Sequence, residues 1–484
     1  MAIKTLHLTN AWHSTSGGVA IFYRALMQEA NRRGQKFRLV VPAEQDRVEE
    51  IGEHARIYHV AAPAAILNSS YRTIYPTQFL FKESALQAIL AEERPDVVEI
   101  SDKYTLAYLG GLLRLRLLGS IDFRPVVIGL SSERMDDNFR SYLKWVPLGK
   151  KFCSWYMHWV YFPFFDHHIA NSHYTAEELR VASAGHMVSR GTWVRHMGVE
   201  LDEFSPSHRS EQGRKRVLAV SGAPEDAILL LYIGRIAPEK NIRLLFELTE
   251  RLNRLSIGKY HLLIAGDGMD RARWERYAAA QMPGRVGFLG HIRERKMLAT
   301  LYANADVFVH PNPHEPFGIA PLEAMASGLP LVAPDSGGVT SYANLENAWT
   351  APPTAKDFAA AVAEILSTPK LVAEKTQNAL AAVANYRWEK VAASFLDLYQ
   401  DLHRDFHGQA ANFRADFYST PAKPGTALLA HWTSQLAQKM FSGIAHARES
   451  QRQKTKPGNH VAESAQTEEM GKPENRRLDA LQKL

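Results

Sequence analysis

Short apolar runs alternate with helix-patterned stretches in two successive blocks, and this repeat limits what the chain can fold into more than any other feature. In the first block Ile3–Thr9, Phe37–Val41, Val97–Ser101, Val126–Leu130, His168–Asn171 and Trp193–His196 read as strands. Val19–Arg33 reads as a helix opened by the turn Ser16-Gly17-Gly18. Asp202–Pro224 is polar and reads as a linker, after which the strands Leu229–Gly234, His261–Ala265, Val286–Phe288, Val307–His310 and Leu331–Ala333 follow. Strands separated by helices predict parallel sheets covered on both faces.

The expected fold is therefore α/β, with two Rossmann-like lobes facing a cleft. Ligands of such sheets lie beyond the carboxyl ends of the strands. The expected boundaries are 1–205 for the first lobe, 206–384 for the second, 385–450 for C-terminal helices and 451–484 for a disordered tail. Trp388, Val391, Ala392, Phe395, Tyr399 and Leu402 share one helical face, and Leu428, Trp432, Leu436, Met440 and Ile444 recur every four residues. From Gln451 onward aromatic residues are absent and aliphatic ones few, which predicts disorder.

Composition narrows the class. With 484 residues, 46% hydrophobic and 22% charged, the chain can bury two cores and reads as globular. Its one cysteine, Cys153, excludes an internal disulfide and a cysteine zinc cluster, which fits a reducing, cytoplasmic compartment. Lys+Arg 57 against Asp+Glu 51 leaves a net charge of +6, compatible with an anionic ligand or a membrane surface without selecting either. The first residues lack a signal-peptide pattern, and no run approaches the roughly 20 apolar residues of a membrane span. The nearest, Phe152–Phe165, contains His158 and is interrupted by Pro163.

The segment from Ala305 to Gly338 is the richest in chemistry. It reads as a strand, a loop with Glu315, a helix opening near Ile319 with Glu323, a Ser327-Gly328 stop and another strand. Backbone N–H groups of Phe317, Gly318 and Ile319 at a helix start suit an anion. A carboxylate beside them can accept two O–H groups of a vicinal diol, as in a ribose, and a second can hold a further sugar. Two glutamates eight positions apart also fit a capping acid and a solvated one; the loop–helix–glycine context favours the ligand reading. Upstream, Arg235 ends a strand and Lys240 follows five residues later, so a planar fork and a point charge can meet one diphosphate. Gly17-Gly18 allows close backbone approach but lacks a dinucleotide or P-loop pattern. His167 and His168 have no partner at metal-ligand spacing.

With these residues in place, the sequence resembles the retaining glycosyltransferases of family 4, also called group 1, which share the two-lobed GT-B fold. The resemblance covers roughly residues 1–400 and rests on Tyr232–Lys240, Ala265–Gly268, Gly287–Gly290 and Glu315–Glu323 in the second lobe. Gly17-Gly18, Ala170–Ser172 and Met197–Phe204 match in the first. It implies an acceptor lobe, 1–205, and a nucleotide-sugar donor lobe, 206–384. Arg235 and Lys240 then look like the diphosphate-binding pair, Glu323 like the ribose ligand and Glu315 like the group on the transferred sugar. The Phe317–Ile319 backbone would position the donor, and Gly17-Gly18 would approach its phosphates or the acceptor. Family members need no metal, so no cofactor is expected. Two departures stand out: Ser132 occupies the place of a first-lobe histidine, leaving Ser132, Glu133 or Arg134 as polar contacts, and Ser341 stands where an acid often follows Gly337-Gly338.

The resemblance implies transfer of a hexosyl group from UDP- or GDP-hexose to an acceptor hydroxyl, with retention, in glycan or glycolipid biosynthesis. The alternative suggested by Ser132 is a catalytically weak protein of the same fold that binds nucleotide-sugar or glycan. Expected partners are the donor and a glycan, lipid or small-molecule acceptor, and no nucleic acid. Trp145, Trp155, Tyr156, Trp159, Tyr161 and Phe162, near Lys144, Lys150 and Lys151, fit a helix packed into the first lobe better than a peripheral contact with the inner membrane face.

Overall fold

A computed structural model describes residues 3–13, 17–65, 71–142, 149–184, 191–255 and 260–408. Ser16, Lys144, Trp145, the Leu428–Ile444 stripe and the 451–484 tail lie outside the described residues. The first lobe holds strands β1 (Thr5–Thr9), β2 (Phe37–Ala43), β3 (Arg47–Ile51), β4 (Ala55–Ala61), β5 (Val97–Ser101), β6 (Val126–Ser131), β7 (His167–Ala170) and β8 (Thr192–Val194). They form one sheet in the order β3-β4-β2-β1-β5-β6-β7-β8, parallel except where β3 runs against β4. The second sheet contains β9 (Ile228–Ile233), β10 (Tyr260–Ala265), β11 (Val286–Gly290), β12 (Val307–Val309), β13 (Leu331–Pro334) and β14 (Trp349–Ala351). Its order is β11-β10-β9-β12-β13-β14, with every pairing parallel.

Both sheets reverse their winding direction once, between β1 and β5 in the first and between β9 and β12 in the second. Adjacent loops diverge to opposite faces at such a point and leave a crevice at the strand ends. Gly17-Gly18 follow β1, Arg235 and Lys240 follow β9, and Glu315 follows β12. The expected site residues thus sit at the reversal points.

Three features differ from the sequence reading. The polar stretch Asp202–Pro224 contains the helix Glu211–Ser221, capped by Ser210, whose hydroxyl accepts the Gly213 N–H at 2.9 Å, and ended by left-handed Gly222. Val217, Leu218 and Val220 give that helix an apolar face inside the core, so polarity elsewhere masked it. The sequence reading lacks the hairpin β3–β4. Its outer strand carries Arg47, Glu49 and Glu50, charges that blunt an exposed sheet edge and hide the strand pattern. The aromatic run divides: Tyr156, Tyr161 and Phe162 are buried, whereas Trp155 and Trp159 are exposed. No helix among the described residues is long and apolar enough to cross a membrane.

The last described helix returns the chain to the first lobe. In helix Trp388–Gly408 all six residues of the expected apolar face are buried, and it packs on helix Gly17–Arg32. Tyr399 donates its hydroxyl to Glu99 on β5, which also meets the Tyr23 hydroxyl and His7 Nδ1, each at 3.1 Å. A buried carboxylate needs such donors, and here they fasten the returning helix to the sheet.

Candidate active site

Lys240 lies in the turn Pro238–Lys240, and Asn241, left-handed with φ 51°, sends its amide to the Pro311 carbonyl at 2.9 Å. That bond clips the loop after β9 to the loop after β12. Lys240 Nζ then meets both oxygens of Glu315, at 2.9 and 2.7 Å. Asn312 donates to Glu315 Oε2 at 3.1 Å, and His310 Nε2 stands 3.9 Å from the same oxygen. Burial alone would raise the Glu315 carboxyl; the charge of Lys240, His310 and the two donors instead bring it down to about 2. His310 is lowered as well, from 6.5 to about 4, chiefly because it is buried.

The Glu315 loop is held from behind. Gly338 N–H donates to the Glu315 carbonyl at 2.6 Å, and a Cβ on Gly338 would come within 1.9 Å of the Pro316 carbonyl oxygen. Tyr342 donates toward the Phe317 and Gly318 carbonyls at 3.1 and 2.5 Å. Gly318, with φ 86°, precedes helix Ile319–Ala326. The Phe317 ring is buried between His196 and Tyr342, with centroid distances of 5.7 and 5.1 Å. Loop and helix start are therefore braced before any ligand arrives.

Glu323 occupies the buried face of that helix and accepts the Tyr302 hydroxyl at 2.8 Å. Burial raises its carboxyl to about 7, against the opposing effects of the Tyr302 donor and Arg295. Tyr302 is positioned edge-on by Phe204, 5.5 Å away, from the segment Met197–Phe204. Arg235 is half-exposed and pairs with Glu239 at 2.8 Å. Its charge reaches His13 of the first lobe, whose imidazole is lowered to about 4 by burial and then by Arg235.

The carboxyl ends of the two sheets face each other. A Cβ on Gly18 would lie 3.1 Å from Ile319 Cδ1, so the two helix starts meet across the crevice. Ser172 Oγ, the cap of helix His173–Ser183, donates to the Pro316 carbonyl at 2.5 Å. The Tyr174 hydroxyl donates to Asp137 at 2.5 Å and lies 3.0 Å from His314 Nδ1. Helix Met135–Tyr142 packs on the Pro238–Lys240 turn.

The structure thus brings Lys240 onto Glu315 and Gly18 against Ile319, with Phe317 and Gly318 leading into the helix that carries Glu323; Arg235 follows the same strand as Lys240, and Gly17 is exposed. Two placements were not legible: Lys240 and Glu315 form one ion pair, and Glu323 is paired with Tyr302. In the first lobe Arg134 is taken up by Asp136, at 2.7 Å, and by the Tyr174 carbonyl. Glu133 accepts from Asn138 at 2.8 Å, and burial raises its carboxyl. Ser132 lies in the same loop, its carbonyl accepting from Asn171 at 3.3 Å. Sequence reasoning missed Asn312 and His310, which stand three and five residues before Glu315, and Tyr302, for which no local signal exists. Among the described residues no group of three or more His, Cys, Asp or Glu is arranged to hold a metal ion.

Comparison with known proteins gives the family. Residues 214–403 match the family described as glycosyl transferases group 1, and residues 16–187 match glycosyltransferase family 4. A GDP-mannose-dependent alpha-mannosyltransferase of Mycobacterium tuberculosis is 32% identical over 325 residues, covering 66% of this chain and 76% of that protein. The GDP-mannose-dependent alpha-(1-6)-phosphatidylinositol dimannoside mannosyltransferase of the same species is 27% identical, covering 81% and 95%. In fold, sucrose-phosphate synthase from Thermosynechococcus elongatus superposes with a TM-score of 0.67 at 23% identity, covering 83% of this chain and all of that one. HepE from Anabaena, in complex with UDP and glucose, gives 0.58 at 15%, covering 82% and 99%. The fold is that of the two-lobed GT-B enzymes. The chain belongs to the group 1, family 4 glycosyltransferases.

Proposed function

We propose that this glycosyltransferase moves a hexosyl group from a nucleoside diphosphate sugar to an acceptor hydroxyl with retention of anomeric configuration. The observation that carries the reading is the pairing of Lys240 with Glu315 where the loops after β9 and β12 meet at a reversal point, next to the Phe317–Ile319 helix start and the helix that carries Glu323. In this reading Glu323 accepts two ribose hydroxyls, the helix start and Arg235 hold the diphosphate, and Glu315 accepts a hydroxyl of the transferred sugar. Lys240 turns from Glu315 toward the diphosphate, so a positive charge already held in place meets the anion as the donor enters.

The bond that breaks joins the anomeric carbon to the diphosphate oxygen, and its electron pair leaves with the diphosphate. Arg235, Lys240 and the helix N–H groups stabilise that growing charge, a task the reading assigns to them rather than to a metal ion. The acceptor oxygen forms the new bond on the same face, and its proton passes to a phosphate oxygen of the leaving group. Among donors, GDP-mannose is favoured over UDP-hexoses because the relatives at 27% and 32% identity are named for it. The name of the relative at 27% identity, which specifies a phosphatidylinositol dimannoside, favours a glycolipid acceptor.

The test is nucleoside diphosphate release from GDP-mannose, GDP-glucose, UDP-glucose and UDP-galactose over a panel of mannosides and inositol lipids, with NMR assignment of the product anomer. Release of GDP from GDP-mannose with an α-linked product supports the reading. An inverted linkage, or no release with any donor, contradicts it.

A further inference from the structure

The segment 149–165 is split between two environments. Cys153, Tyr156, Met157, Val160, Tyr161 and Phe162 are buried in the first-lobe core. The opposite side, at Lys150, Lys151, Ser154, Trp155 and Trp159, is exposed, with Trp155 at 49% and Trp159 at 63%. Lys151, Trp155 and Trp159 are four residues apart and follow one stripe through helix Gly149–Tyr156 and the wider turn Met157–Tyr161. The packing of this segment into the lobe therefore leaves two indoles in water beside two ammonium groups.

Charge within the stripe has one sign. No Asp or Glu occurs from 149 to 165. Carboxylates on the elements packed against it are engaged elsewhere: Asp136 with Arg134, Asp137 with Arg140 and Tyr174, Glu177 with Arg180, and Glu178 with Lys103. Tryptophan favours the boundary between water and hydrocarbon, because its ring is apolar and its N–H needs a polar partner. Lysines beside such rings are attracted to anionic headgroups and keep their stems against apolar surface. A protein partner would require matching carboxylates at fixed positions, whereas a lipid surface requires only the sign and the aromatic depth seen here.

We propose that this stripe docks the protein on a bilayer carrying anionic headgroups. The inference is independent of which donor is used. Helix Gly149–Tyr156 packs on Met135–Tyr142, which packs on the turn carrying Lys240. The docked face therefore adjoins the rim of the crevice, where an acceptor anchored in the bilayer could reach it.

Sedimentation of the full-length protein with phosphatidylcholine vesicles, and with vesicles containing 30% phosphatidylglycerol, tests the proposal. Binding is expected only to the anionic vesicles and should weaken in 0.5 M salt. Trp155→Ser with Trp159→Ser should reduce it at least tenfold, and Lys150→Gln with Lys151→Gln roughly tenfold. Both residue pairs are exposed, so the circular dichroism and melting temperature of each variant should match those of the unaltered protein. Failure of the unaltered protein to bind anionic vesicles overturns the proposal, as does undiminished binding by the folded Trp155→Ser/Trp159→Ser variant. Loss of self-association rather than of vesicle binding in that variant would assign the stripe to a second copy of the chain and also overturn it.

Discussion

Glu323 offers a test in which function and stability move in opposite directions. Its carboxyl is buried and raised from 4.5 to about 7, while its proposed task, accepting ribose hydroxyls, requires the carboxylate. If only the ionised form binds, the apparent dissociation constant scales inversely with the ionised fraction and rises about tenfold for each pH unit below 7. GDP-mannose is a suitable probe because both its phosphates remain ionised across this range, so their titration does not mimic the effect. Calorimetric titration should therefore show about tenfold weaker binding at pH 6 than at pH 8.

The stability of the empty protein follows the reverse slope. A raised carboxyl means that the folded state holds the proton more tightly than the unfolded one. The contribution is fully present below 4.5 and is lost as pH rises through about 7. At about 1.36 kcal/mol per pH unit, the interval amounts to about 3 kcal/mol. Glu323→Gln keeps the volume and an acceptor for Tyr302, yet removes the buried charge. It should unfold at higher urea concentration than the unaltered protein at pH 8 and bind GDP-mannose at least tenfold more weakly, with no pH slope between 6 and 8. Equal affinity at pH 6 and pH 8 in the unaltered protein, or the same slope in Glu323→Gln, would refute the assignment.

Three further outcomes follow from the same geometry. Lys240→Ala leaves a largely buried Glu315 without its cation and should cost about 2–3 kcal/mol in urea unfolding at pH 7.5, part of which Lys240→Ala/Glu315→Ala should restore. Because the Glu315 carboxyl is depressed to about 2, its stabilising contribution is present above 4.5 and is lost as pH falls toward 2, a slope that Lys240→Ala should flatten. Arg235→Ala, at a half-exposed side chain, should change stability by no more than about 0.5 kcal/mol while lowering turnover at least about 100-fold in a diphosphate-release assay. Gly338→Ala forces a Cβ onto the Pro316 carbonyl and should displace Glu315, abolishing transfer; unchanged turnover would show that the brace is dispensable.

How much the sequence reveals depends on the range of the interaction. The bounds of Val97–Ser101 are legible because Val97, Val98 and Ile100 make a short, largely apolar run, and the Trp388–Leu402 face because a helix repeats its pattern. The hairpin Arg47–Ala61 and the helix Glu211–Ser221 were lost because exposed charges outweigh their buried positions. Within the site, the residues were legible but their relations were not. Lys240 and Glu315 are 75 positions apart, and only the adjacency of β9 and β12 brings them to 2.7 Å. The sequence marks Glu323 as a ligand to ribose, whereas its displaced ionisation follows only from its enclosure by Tyr302 and the core. Likewise Arg134 was an available cation in the sequence and is a partner of Asp136 in the fold.

The central claim is that the loops after β9 and β12 grip a diphosphate. A crystal structure of the protein with GDP tests it most directly. The β-phosphate is expected within about 3 Å of Lys240 Nζ, the Arg235 guanidinium and the N–H groups at the start of helix Ile319–Ala326, with both ribose hydroxyls on Glu323. A diphosphate seated elsewhere, with Lys240 still closed on Glu315, would contradict the account.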